Sequence, residues 1–371
     1  MRRLFLIIAC FYIVGYISHA LYLHKTVYGD GIYYYSFLRS IVVNHNLNFT
    51  DEYSALGGFQ QKTPFGVPGN KYSIGPALLW TPGYLWIHTV VRGTGYEFPY
   101  QLIVGLESIL YCLFSLVLLY RVLAKHVRQR VAVYAICAIA GATNLLFYGS
   151  LDPVNSHALS FFAVTLFLNM LLSKKRRWFL VGLSLGLVGI IRMQDLCVGI
   201  LILTFIKLKN IPQFVAGLLI GIFAQLVVWQ ILYGTLLNNP YLTGHEGFTF
   251  LRPHIAGVLF SPNNGLFLWT PMALAGVIGL VRRIKEKFYV LMVVVFLCQL
   301  IIVACWSTWW QGASYSGRMF VSTLPLLAFG LGWLFESLDR IKLSRIIALY
   351  AIILPMSLIN VFLITYFLLT H

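Results

Sequence analysis

The chain has 371 residues, is 59% hydrophobic and only 10% charged, and has a mean hydropathy of +0.81. Soluble domains carry roughly 25% charged residues, so these values exclude an ordinary water-soluble fold. The formal net charge of +16 is dispersed in short loops rather than gathered on one face, which excludes a nucleic-acid surface and suits anionic lipid headgroups.

Lys and Arg cluster at Arg2–Arg3, Arg121–Arg130, Lys174–Arg177, Lys207–Lys209, Arg282–Lys287 and Arg340–Arg345, and these clusters hold most of the 27 cations. Short basic loops resist translocation and mark the cytoplasmic side. Apolar runs of about 18 residues separate them, each able to cross ~30 Å of hydrocarbon as a helix. With Arg2 and Arg3 inside, the first run, about 4–21, leaves the cytoplasm as an uncleaved helix, since no small-residue cleavage site follows it. His24 to Gly75 then lies outside. The next run, 76–91, carries Pro76, Pro82 and Gly83, and a crossing there would put Arg121–Arg130 outside. It is expected to lie against the external face as a re-entrant or interfacial element.

The remaining crossings alternate at about 100–121, 132–149, 157–173, 178–194, 195–208, 211–233, 265–281, 288–305, 319–336 and 346–368. Residues 178–208 must go out and return, as two short helices turning at Arg192-Met193-Gln194-Asp195. The expected fold is an all-α polytopic membrane protein: about eleven transmembrane helices with external juxtamembrane helices, in a single integral-membrane domain over 1–371. Two external loops, 24–99 and 234–264, are long, and loops of that length usually carry function. Most tryptophans gather at the same face, among them Trp80, Trp229, Trp306, Trp309 and Trp310. The cysteines lie in apolar runs with no CxxC spacing and read as small buried hydrophobes.

The external side also collects the chemistry-bearing residues. Asp30, in Tyr28-Gly29-Asp30-Gly31, precedes a stretch with helical apolar period. It can cap that helix, and it can serve as a general base at the membrane surface. Asp152 and His157 share the short turn Leu151-Asp152-Pro153-Val154-Asn155-Ser156-His157 and would add a second carboxylate and an imidazole. Arg192 sits at the tip of the short helical pair, where its guanidinium could fork onto a phosphate, with Asp195 three residues on to neutralise or orient it. Arg318 ends the stretch Trp309-Trp310-Gln311-Gly312-Ala313-Ser314-Tyr315-Ser316-Gly317-Arg318, and Trp309, Trp310 and Tyr315 join it as substrate-contacting candidates, as do Asp51 and Glu52 of the first loop. Gly182-Leu183-Ser184-Leu185-Gly186 fits GxSxG but falls mid-helix, outside the strand–turn–helix context that motif needs. Gly217 and Gly221 suit helix packing, and Glu107 a tie to a neighbouring helix.

The Gly29-Asp30-Gly31-Ile32-Tyr33-Tyr34 opening of the first external loop resembles integral-membrane glycosyltransferases of the GT-C fold. More narrowly, it is similar to the bacterial protein O-mannosyltransferase/aminoarabinose-transferase superfamily. The stretches Tyr72–Trp80, Leu259–Phe267 and Trp309–Arg318, with Asp152 and Arg192, follow the same pattern. The chain departs from it where relatives often carry Asp-Glu, having Gly29-Asp30-Gly31 instead. The resemblance implies transfer of a sugar from a polyprenyl-phosphate donor to a lipid, glycan or protein acceptor at the external face of a bacterial inner membrane. Asp30 and Asp152 would be catalytic, and Arg192 and Arg318 would hold the donor phosphate. No cofactor is implied by motif, and a divalent metal stays compatible with an acidic site. A lipid-linked donor also explains why such an enzyme is built of membrane helices and needs no nucleotide fold. A transporter or lipid flippase would instead spread ionisable groups through mid-membrane, and a scaffold protein gives no reason for two long external loops rich in Asp, Arg, Trp and Tyr.

Overall fold

A computed structural model describes residues 2–243, 246–339 and 351–370. The basic cluster Arg340–Arg345 and the start of the last expected crossing lie outside the described residues. Among those described, structure is helical, with two isolated β-bridges, Lys62 to Pro68 and Phe248 to Trp306. Six helices are long and apolar enough to cross a membrane, and five shorter apolar ones lie between them, so every expected crossing has its helix.

The chain enters through α1 (Arg2–Leu23) and turns into two short helices, α2 (Gly31–Arg39) and α3 (Thr50–Leu56). Next comes α4 (Gly75–Val91), the run expected to be interfacial, which lies along α5 (Phe98–Leu123). Pro82 interrupts α4 internally. The Gly83 N–H beyond it donates to Glu107 Oε1 of α5 at 2.7 Å, and Leu79 C=O accepts from Tyr111 OH at 3.1 Å. Side chains of α5 thus satisfy backbone groups around the break, which gives Glu107 the packing role expected of it. Before α5, Glu97 holds the turn by accepting N–H bonds from Thr94 and Gly95 at 2.8 and 2.9 Å.

Helices α6 (Gln129–Gly141), α7 (His157–Leu171) and α8 (Trp178–Ile191) follow. The return strand of the short pair, Met193–Thr204, is a 3₁₀ helix and not an α-helix. Its 12 residues at roughly 2.0 Å each span about 24 Å, close to the ~21 Å covered by the 14 residues of α8. The tighter winding lets a short segment match its partner in length. Then α9 (Ile211–Tyr233) packs on α8 through a seam of glycines: a Cβ on Gly182 would fall 2.0 Å from Phe214 O, and one on Gly217 2.0 Å from Phe179 O. The GxSxG and GxxxG glycines are therefore two sides of one close helix contact.

After α10 (Pro240–Thr243) and α11 (Ile255–Phe260), the expected crossing 265–281 is broken at Thr270 into α12 (Leu266–Trp269) and α13 (Pro271–Val281). Helices α14 (Lys287–Ala304), α15 (Leu324–Asp339) and α16 (Leu354–Thr370) complete the bundle.

Contacts between loops sort the helix ends into two groups. At one end Arg128 pairs with Glu336 at 2.5 Å, Arg283 lies over Trp333, Lys287 Nζ donates to Leu203 O, and Arg176 lies over Phe205. These draw three of the basic clusters, and the segment leading to a fourth at Lys207–Lys209, to one end. At the other end meet the starts of α2 and α7, the ends of α8 and α14, and the segment before α15, which carry Asp30, His157, Arg192, Trp306 and Arg318.

Candidate active site

Asp30 stands at the start of α2 but does not cap it: its backbone is already helical and its side chain makes no cap bond. Its carboxylate points across the fold, with Oδ2 2.9 Å from Arg318 Nη1 and Oδ1 accepting from Tyr72 OH at 2.8 Å. Both members of the ion pair keep partial access, 25% for Asp30 and 21% for Arg318. Asp152 is nearby, close enough to feel both Asp30 and Arg318. Burial pushes its carboxyl up to about 7, against hydrogen bonds from Tyr28 and Asn155 and the positive charge of Arg318. One carboxylate is thus committed to an arginine, while the second sits near neutrality.

Arg192 terminates α8 in extended backbone, just where the chain reverses into the 3₁₀ helix. Its Nη1 donates to Ser156 Oγ at 2.9 Å and lies 3.4 Å from His157 Nδ1; Nη2 meets Gln194 Oε1 at 3.4 Å and the Met319 thioether. Its Nε has no partner, and among the described residues no carboxylate comes within ion-pair distance of the guanidinium. Tyr34 OH donates to the same Ser156 Oγ at 2.9 Å. Burial holds that phenol up at about 12, although Arg192 beside it pulls the other way, so it remains a donor.

Arg192, Gln194, Tyr34 and Met319 border a cavity of about 710 Å³. Ile222, Leu226 and Trp229 of α9 form one apolar wall, and Ile302 and Val303 of α14 another. Lys71, Tyr241 and Trp306 also line the cavity. Lys71 is paired with Glu246, which also accepts from Trp306 Nε1 at 3.2 Å. Asp30 and Asp152 do not line the cavity; Asp30 is bonded to Tyr72, whose ring packs edge-on against Tyr34 of the cavity lining.

Other expected site residues lie elsewhere. Asp195 was expected to neutralise or orient Arg192; its Oδ1 is instead bonded elsewhere, accepting from Ser322 Oγ at 2.8 Å and Gln299 Nε2 at 3.4 Å in the packed interior. No hydrogen bond or ion pair joins it to Arg192, although the two charges lie close enough to influence one another. Glu52 is fully buried and bound to Arg39 at 2.6 Å, while Asp51 contacts Asn44 on the exposed side of α3; neither borders the cavity. Tyr315 belongs to the core, donating to Asn360 Oδ1 at 2.6 Å among Phe147, Trp269 and Phe367. Trp309 stacks on His254 with Trp310 at its edge, also away from the cavity. Sequence reasoning missed Tyr28, Tyr34, Tyr72, Lys71 and Gln311. The tyrosines offered only an aromatic-rich loop as a signal, since each gains its role from a partner distant in the chain.

No family model and no curated protein matches the chain. Among solved structures it is similar to the oligosaccharyltransferase of Archaeoglobus fulgidus, crystallised in complex with Zn and sulfate, with a TM-score of 0.55 and 14% identity over 96% of this chain and 52% of that one. The chain spans about half the length of that enzyme. At this identity the likeness is one of architecture, and on that ground the chain has the GT-C membrane fold.

Proposed function

We propose that the chain is a glycosyltransferase that moves a sugar from a polyprenyl-phosphate donor to an acceptor hydroxyl at the extracytoplasmic face of a bacterial inner membrane, with inversion at the anomeric carbon. The observation that carries this reading is Arg192, a guanidinium with no carboxylate partner, bordering a cavity whose walls are apolar side chains of α9 and α14. Apolar walls suit an isoprenoid tail, and an unneutralised fork suits its phosphate. Charge counting favours a phosphodiester. Among the described residues at the site, Lys71 is ion-paired with Glu246 and Arg318 with Asp30, which leaves Arg192 as the cation without an ion-pair partner for a singly charged phosphate.

In the proposed reaction the acceptor oxygen attacks C1 while the C1–O bond to phosphate breaks and its electron pair leaves with the lipid phosphate. The acceptor proton passes to Asp30, which Arg318 and Tyr72 hold in orientation. Arg192 stabilises the charge that builds on the departing phosphate. Arg318 therefore serves the base more directly than the phosphate.

The transporter reading draws on Glu107 and Asp195, carboxylates within helix-packed regions, but each is hydrogen-bonded to a neighbouring element and neither borders the cavity. The decisive test is turnover of a radiolabelled polyprenyl-phosphate sugar by purified protein supplied with envelope extract from a deletion strain. Label entering an envelope glycan, lipid or protein supports transfer. Label recovered only as unchanged donor, moved between leaflets of a vesicle, supports the flippase.

A further inference from the structure

The chemistry of the cavity wall around Arg192 bears on which sugar the donor carries. Among the described residues the charged side chains on that wall are Arg192 and Lys71, and no carboxylate lines it. Lys71 is occupied by Glu246 and lies near the Tyr241 and Tyr72 rings, at 5.3 and 5.6 Å. The remaining polar lining is uncharged amide and hydroxyl: Gln194, Gln311, Asn238, Asn239 and Thr308 among them.

Gln311 is the most constrained of these. Its φ is +61°, a left-handed conformation that non-glycine residues adopt at a cost and keep only where surroundings enforce it. The surroundings here are explicit. Its backbone N–H donates to Thr308 O at 2.9 Å, and its side-chain Oε1 accepts from Met319 N–H at 2.9 Å. With the carbonyl oxygen committed, the carboxamide NH₂ is the end left for a ligand. The Asn238, Asn239 and Thr308 side chains make no hydrogen bond within the described protein.

Building on the donor-site reading above, we propose that the transferred sugar is an uncharged, polyhydroxylated ring, read by the Gln311 carboxamide together with Asn238, Asn239 and Thr308. Sugar hydroxyls both donate and accept, which is what amides and hydroxyls match. An amino sugar would bring an ammonium close to Arg192 with no carboxylate on the described wall to face it. A uronic acid would set a second anion against Arg192, which the phosphate already uses.

The test is equilibrium binding of non-hydrolysable polyprenyl-phosphonates that share one short tail and differ in the head: a neutral hexose, its amino-deoxy counterpart, its uronic acid, and no sugar at all. The neutral head should bind at least ~10-fold more tightly than the other three, in line with sites that leave polar groups unpaired against the wrong analogue. Gln311→Leu should reduce the neutral head to the level of the sugar-free phosphonate without changing the latter. Since position 311 is conformationally strained, Asn239→Ala and Thr308→Val give a second route to a partial loss of the same preference. Equal or tighter binding of the amino or acidic head by the unaltered protein overturns the inference while leaving the donor site standing. If even the sugar-free phosphonate fails to bind, the donor-site reading itself fails and this inference falls with it.

Discussion

Two arginines at the same end of the bundle have opposite surroundings. Arg39 is enclosed: its Nη1 is bonded to the fully buried Glu52, its Nε donates to Thr94 O at 2.9 Å, and Tyr96 covers its face at 4.0 Å. Arg192 has a hydroxyl, an amide, a thioether and an imidazole as neighbours, an Nε without a partner, and a cavity in front of it. A buried charge is retained only with a partner, because desolvation is expensive. Where the fold supplies that partner, the arginine is structural. Where it supplies neutral groups and an opening, the charge is available to a ligand. By this criterion Arg318, bound to Asp30 at a partly accessible position, stands between the two.

The largest effects should divide along that line. Arg39→Ala would leave Glu52 buried and unpaired, a loss of about 3–5 kcal/mol, read as a lowered unfolding midpoint in detergent. Turnover per folded molecule should survive. Arg192→Ala should do the reverse, keeping the midpoint and lowering kcat by about 10²–10³-fold, as loss of one charge-stabilising donor does elsewhere. Arg192→Lys keeps the charge, loses the fork, and should fall between. A midpoint drop in Arg192→Ala as large as that in Arg39→Ala would erase the distinction.

Next in size is Asp30→Asn. The amide still accepts from Tyr72 but cannot take a proton near neutrality, so turnover should fall by at least ~10²-fold with donor-analogue affinity nearly unchanged. Near-normal turnover would transfer the role of base to Asp152.

Asp152 offers the smallest and most specific effect. Its folded carboxyl is raised to about 7 from an ordinary value near 3.8, so the folded state holds the proton more tightly than the unfolded chain. Stability should therefore be highest at low pH, for this group, and decline as pH rises from about 4 through 7. Asp152→Asn should flatten that decline, seen as a gain in midpoint over the parent at pH 8 and none at pH 4. An unchanged difference across the range would mean that Asp152 titrates normally.

The distribution of basic loops was enough to order the helices and sort their ends, because charge placement is written locally. The pairings that separate Arg39 from Arg192 are not local. Asp30 meets Arg318 across most of the chain and Asp195 meets Ser322 from 127 residues away, and no period or spacing encodes such contacts. The same holds for Tyr315, which reads as a loop aromatic and becomes core through Asn360. The 3₁₀ winding of Met193–Thr204 was equally hidden, since apolar content fixes neither helix type nor the direction in which Asp195 points. Arg192 could be singled out from sequence because a cation at a tight apolar turn is costly wherever its partners lie.

On the proposed reading Arg192 is an anion site reserved for the donor phosphate. The most direct test of that reading is the affinity of a non-hydrolysable polyprenyl-phosphonate sugar for the parent protein, Arg192→Ala and Arg39→Ala, compared only among molecules shown to be folded. Arg192→Ala should lose at least ~10-fold in affinity, the weight of one charge-assisted contact, whereas folded Arg39→Ala should bind as the parent does. Equal affinity of Arg192→Ala and parent would contradict it.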